Sequence, residues 1–175
     1  IRDRLNFKTT PDALRHYTDE KNVKLFQRHG ICTRAETQSR AEILLEEYAK
    51  TINIEALTML EMLAREILPA CVAYSSKVAE GVAVKKSIGV DAPAELEMVR
   101  DLTALTGELY RCQAALRQAM DAIPTHGDML AKSEYYRDAV IPAMNAARAV
   151  ADKLETMVDE KDWPMPTYGK MLFYV

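Results

Sequence analysis

A chain of 175 residues, 49% hydrophobic and 28% charged, is long enough to bury a sizeable core as one domain. Its formal charge of −3 argues against nucleic acid, whose affinity rests on clustered Lys and Arg, and no run approaches the ~18 apolar residues of a membrane span. Cys32, Cys71 and Cys112 lie far apart, are odd in number and form no CxxC pair, which fits free thiols in a reducing cytosol and not a disulfide frame or zinc site.

Residues 1–22 carry no sustained periodicity, and Pro11 among Thr9, Thr10 and Asp12 reads as a turn-rich lead-in or linker. The chain starts at Ile1, not Met, and lacks a signal-peptide core, so it reads as a fragment. "NVKLFQRHG" predicts a short helix stopped at Gly30. Thr33 and Glu36 have the spacing of a capping box, in which each side chain satisfies a backbone N–H of the first helical turn.

A long helix should follow, with Ala41, Leu44, Leu45, Tyr48, Ile52, Ala56, Met59, Leu60, Leu63 and Ile67 on one apolar stripe. Ile54, Leu57 and Leu68 lie off that stripe and predict a helix covered on two sides. Pro69 removes a donor and crowds the preceding turn, so the helix should kink there. The stripe resumes through Cys71, Tyr74, Val78 and Val82. Asp91 is placed to cap the next helix, and Pro93 suits its first turn.

That helix carries Leu96, Val99, Leu102, Leu105, Leu109, Cys112, Leu116, Met120 and Ile123, and "PTHGD" is the turn that follows. A last helix from about Asp128 carries Tyr136, Val140, Met144, Ala147, Ala151, Leu154 and Val158, with Pro142 inside it. "VIPA" faintly echoes the earlier "ILPA". The predicted fold is all-α, an antiparallel bundle of long, proline-kinked helices over 23–160 with an extended C-terminal tail over 161–175.

Chemistry is hard to place on these helices. Di-iron bundles need Glu-x-x-His pairs, and this chain has none; His16, His29 and His126 fall in a lead-in, a helix end and a turn, where solvated or capping roles suit them better than ligation. Glu46, Glu47, Glu61 and Glu66 fall on polar faces where Lys50 and Arg65 can pair with them. Cys71 and Cys112 sit on core stripes without a base nearby, and the six scattered glycines make no phosphate loop. Met59, Met120 and Met144 fit core filling better than a peptide groove. No catalytic, cofactor-binding or metal-ligating residue is therefore assigned.

The tail differs. Trp163, Pro164, Pro166 and Tyr168 predict a stiff segment leading to Leu172 and Phe173, and such a segment loses little entropy on docking. It is either a strap over its own bundle or a docking element for a neighbouring domain or subunit.

Six stretches, "LNFKTTPDAL", "NVKLFQRHGICT", "EEYAKTINIEALTMLEMLAREILPA", "YYRDAVIPAM", "RAVADKLETMV" and "WPMPTYGKMLF", together resemble the C-terminal region of type III glutamine synthetases. The resemblance runs from about Leu5 to Phe173. It departs at Arg15, where the family often has proline, at Met165, often aromatic, and at Lys170, often aspartate. It implies a large cytoplasmic parent that joins ammonia to glutamate using ATP and a divalent metal (Mg or Mn), assembled as a dodecamer of two hexameric rings. The implied partners of this chain are the catalytic region of the same protein and neighbouring subunits, with no nucleic acid and no membrane. The family's catalytic motifs lie upstream and none occurs here, so a structural or regulatory domain, inactive alone, is expected. A free-standing helical interaction module derived from that domain is the alternative.

Overall fold

The structure, a computed structural model, describes residues 6–166 and 168–173, with the backbone alone for Tyr168 and Gly169. Every regular element among the described residues is helical. They are α1 (Thr10–Tyr17), α2 (Glu20–Arg28), α3 (Arg34–Met62), α4 (Leu68–Ser87), α5 (Pro93–Asp121), α6 (Met129–Tyr135), α7 (Ile141–Glu155) and α8 (Tyr168–Leu172). Two π turns, Leu63–Ile67 and Tyr136–Val140, join α3 to α4 and α6 to α7. The all-α class and the long helical stretches follow the periodicity of the sequence. The chain gathers into two compact units, Ile1–Ala56 with Ala119–Pro142 and Leu57–Gln118 with Ala143–Val175.

The first unit opens with a helix where the sequence suggested turns. Thr9 is the N-cap of α1, its Oγ1 accepting the N–H of Asp12 at 3.4 Å, and Pro11 lies in the first turn. Threonine and proline signal turns and helix starts alike, because both features favour a side chain that accepts a nearby backbone N–H and tolerate a following residue that lacks a donor. α2 stops at Gly30 as its sequence indicates. With φ of 65° Gly30 takes the left-handed conformation, its N–H donates to Gln27 O at 3.1 Å, and Ile31 N–H donates to Phe26 O at 2.9 Å. The same paired closure recurs after α4, where Gly89 has φ of 78°, donating to Lys86 O, and Val90 donates to Lys85 O.

The capping box forms as spaced. Glu36 N–H donates to Thr33 Oγ1 at 3.2 Å, and the Glu36 carboxylate accepts Thr33 N–H at 2.7 Å and Thr33 Oγ1–H at 2.9 Å. These bonds from Thr33 hold the Glu36 carboxyl below its usual range. Thr33→Ala is expected to cost about 1 kcal/mol of folding stability, read as a lower urea midpoint by circular dichroism.

α6 is tied to α3 by Ser133, whose buried hydroxyl donates to Leu45 O at 3.1 Å and shares its own helix carbonyl at Met129. Tyr136 O–H donates to Asn53 Oδ1 at 3.0 Å. Two ion pairs hold α1 against this segment, Asp12 with Arg137 at 2.5 Å and Arg15 with Glu134. Arg137 also grips Asp138 through two bonds, and that partner raises the guanidinium pKa further above its ordinary value.

The second unit is a helical hairpin closed by a third helix. α4 and α5 run antiparallel through the 88–92 connection, and Lys85 pairs with Glu95 across it. Ala92, not Asp91, precedes Pro93 at the helix start. Leu63, Ile67 and Cys71 pack with Leu102 and Leu109 and with Ala147, Val150, Ala151 and Leu154 of α7.

Both prolines are absorbed without breaking the helix. Leu68 N–H reaches back to Leu63 O and Ile141 N–H to Tyr136 O, five-residue bonds that widen the turn just ahead of Pro69 and Pro142. A proline has no N–H to offer the carbonyl four residues back, and its ring crowds that group; a wider turn there makes room for the ring. The echo of "ILPA" and "VIPA" is thus one backbone device used twice, each time with its first and last residues buried, Leu63 and Ile67, then Tyr136 and Val140.

The apolar surface of α3 is covered less fully than expected. Ile54 and Leu57 are exposed on its second side and Leu44 on its first stripe, while Leu68 is half-buried against the second unit's core.

Candidate functional site

The titratable side chains are spread out, and several are paired with neighbours. Glu46 bonds Lys50 at 2.6 Å and Glu61 bonds Arg65 at 3.0 Å, the i,i+4 pairs read from the sequence. Hydrogen bonding and charge from Lys50 hold the Glu46 carboxyl below its usual range, the direction of a solvated acid and opposite to that of a buried general acid. His16 stacks on Phe7 with centroids 4.8 Å apart and turns Nδ1 to Asp19 at 3.1 Å. His29 caps α2, and His126 lies in the turn before α6. Among the described residues no three His, Cys, Asp or Glu side chains gather where a metal could be held, and no helix is long and apolar enough to cross a membrane.

Of the cysteines, Cys71 is fully buried in the second unit's core, and burial pushes its thiol up to about 11. A thiol so protonated is a packing group, not a nucleophile. In the folded chain at mildly alkaline pH, iodoacetamide is expected to label Cys112, the most accessible of the three, before Cys32 and Cys71, which mass spectrometry of peptides would show.

An open groove of about 730 Å³ lies in the first unit over Leu14, Ala41 and Leu45, with Arg15, Glu42, Glu46 and Asp128 among its charged lining. Most of those charges already have partners: Arg15 has Glu134, Glu46 has Lys50, and Asp128 Oδ1 accepts the N–H of Ala131. The groove brings no nucleophile to a base.

The tail is where the sequence placed its candidate residues, and the structure divides them. Trp163 is 8% exposed and belongs to the core of the second unit, with Met165 packed against it. Pro164 and Pro166 are exposed. The tail is not the extended segment expected: the chain turns through 160–162, where Asp162 and Trp163 N–H both donate to Asp159 O, bends at 164–165, and forms a short helix over Tyr168–Leu172, while Leu172 and Phe173 stand 75% and 80% exposed. The Tyr168 side chain lies outside the described residues. Two anchors escaped the sequence reading, Lys77 bonding Asp162 at 2.8 Å and Lys170 bonding Glu160 at 3.0 Å. Lone surface ion pairs across long sequence separations leave no periodic signal by which they could be found.

The family model described as the glutamine synthetase C-terminal domain matches residues 1–86. A glutamine synthetase of Butyrivibrio fibrisolvens is 35% identical over 170 residues, covering 96% of this chain and 24% of the relative. A type-3 glutamine synthetase of Dictyostelium discoideum is 33% identical over 178 residues, with the same two coverages. A glutamine synthetase of Bacteroides fragilis (strain YCH46) is 24% identical over 169 residues, 93% of this chain and 23% of the relative. The chain therefore spans about a quarter of the length of the relatives it matches. Residues 1–86 thus belong to the glutamine synthetase C-terminal domain family, and the chain as a whole is similar over 96% of its length to about a quarter of two glutamine synthetases, one of them type-3.

Proposed function

We propose that this chain is the helical C-terminal domain of a full-length type-3 glutamine synthetase, structural or regulatory in role and not catalytic alone. One observation carries the reading: nearly all of this chain aligns to about a quarter of two glutamine synthetases, one of them named type-3. The paired surface carboxylates and the protonated Cys71 thiol support the non-catalytic part. In this reading the parent joins ammonia to glutamate with ATP and Mg or Mn bound in its upstream region, works in the cytoplasm, and assembles as a dodecamer. Residues 1–22 are the approach from that region, 23–160 the bundle, and 161–175 the docking tail; the chain's partners are the catalytic region and neighbouring subunits.

The test is a comparison of the 175-residue chain with the product of its complete reading frame. The chain alone is expected to release no phosphate from ATP with glutamate and ammonia, while the full-length protein makes glutamine. Glutamate-dependent turnover by the repurified 175-residue chain, lost in a variant of it, would overturn the reading. A reading frame with its own start and no catalytic region would favour a free-standing helical interaction module.

A further inference from the structure

We infer that the tail has two halves with different partners: Trp163 and Met165 strap it to its own helices, while Met171, Leu172 and Phe173 form an apolar knob that docks on the catalytic region of the full-length synthetase. The inference rests on the proposed function for the identity of that partner.

The strap half is fixed at several points. Trp163 and Met165 pack with the core of Leu63, Leu109 and Leu154. Trp163 N–H donates to Asp159 O at 2.9 Å, and Lys77 holds Asp162 beside it. Beyond the prolines, Lys170 of α8 reaches back to Glu160 at 3.0 Å. The knob is thus presented from a held base.

The knob half is exposed. Met171, Leu172 and Phe173 are 55%, 75% and 80% accessible. Met171 and Leu172, successive residues of a helix, point about 100° apart at 3.6 residues per turn, within the width of one apolar helix face, and the described residues of the second unit leave that face open. What covers it must be apolar. Its apolar character also follows from the charges, since Lys170, the one cation among residues 168–173, already faces Glu160.

The occupant follows from length. The matched relatives carry this chain as only 24% of themselves, so about three quarters of such an enzyme lies outside the residues described here. The chain's own helices already engage the other half of the tail. That remaining three quarters includes, in the proposed parent, the catalytic region, on the same or a neighbouring subunit.

The experiment compares Leu172→Asp/Phe173→Asp with the unaltered sequence, in the 175-residue chain and in the full-length protein. Leu172→Ser/Phe173→Ser serves as a milder pair should the charges disturb expression. The 175-residue chain is expected to keep its melting temperature, while the full-length protein melts several degrees lower and loses its assembled species in sedimentation. An equal fall in both would place the knob on its own helices, and no change in either would leave it without a partner; both results overturn the inference. So does concentration-dependent association of the 175-residue chain that the variant abolishes, which would make a second copy the partner. Glutamine synthesis by the unaltered full-length protein is the separate readout. Its absence overturns the parent reading, whereas normal assembly of the variant with synthesis intact overturns the docking alone.

Discussion

Trp163→Ala is expected to remove about 3–5 kcal/mol of folding stability, the range for deleting a large buried aromatic side chain. The indole belongs to the buried cluster that holds Leu63, Ile67, Leu109, Leu154 and Val158 and is 8% exposed, so its loss leaves a cavity in that core. Trp163 is the sole tryptophan, so its fluorescence vanishes with it and unfolding must be followed by circular dichroism in urea. The contrast with Phe173→Ala makes the result specific. At 80% exposure Phe173 buries little in this chain, and its removal should leave the urea midpoint where it was. Equal losses from the two substitutions would mean that the division of the tail is wrong.

The second large effect belongs to α5. Leu102, Leu109 and Leu116 are seven residues apart and fully buried, the seam along which this helix meets its neighbours. Leu109→Ala is expected to cost about 2–5 kcal/mol, with the spread set by how far Cys71, Ala147 and Leu154 relax into the space. Leu96 lies on the same helix near the 88–92 connection and is 40% exposed, so Leu96→Ala should cost far less. Matched urea titrations of the two variants check both the size of the effect and the position of the seam.

The periodic part of this fold is legible in the sequence. Stripes at three-and-four spacing name most of the core, from Ala41, Leu45 and Ala56 to Leu102, Leu109 and Leu154, because a helix brings those positions to one side whatever it packs against. The capping box at Thr33 and the stop at Gly30 are local chemistry and are equally readable. What escapes depends on partners. Ile54 and Leu57 look like core positions, yet whether an apolar face is covered depends on what else is present. α1 was hidden because Thr9 and Pro11 serve turns and helix starts alike. The π turns were hidden as well: proline tells where the bonding must change, but the chain can answer with a kink, a break or a wider turn. In the tail, composition marked a stiff aromatic segment, and Trp163 and Leu172 looked alike until burial separated them.

The two compact units are each assembled from separated stretches, Ile1–Ala56 with Ala119–Pro142 and Leu57–Gln118 with Ala143–Val175. During synthesis, where the chain emerges at roughly 5–20 residues per second, neither unit has all its parts until late. The first waits for α6 and its π turn, and the second waits for α7 and Trp163. The order of emergence therefore works against early burial of Leu102 and Leu109, whose α7 neighbours are made some 40 residues later. The α4–α5 hairpin is the exception. Closed by the Gly89 turn and the Lys85–Glu95 pair, it is complete as soon as α5 has left the ribosome, and it can hold its apolar side in register until the last third of the chain arrives.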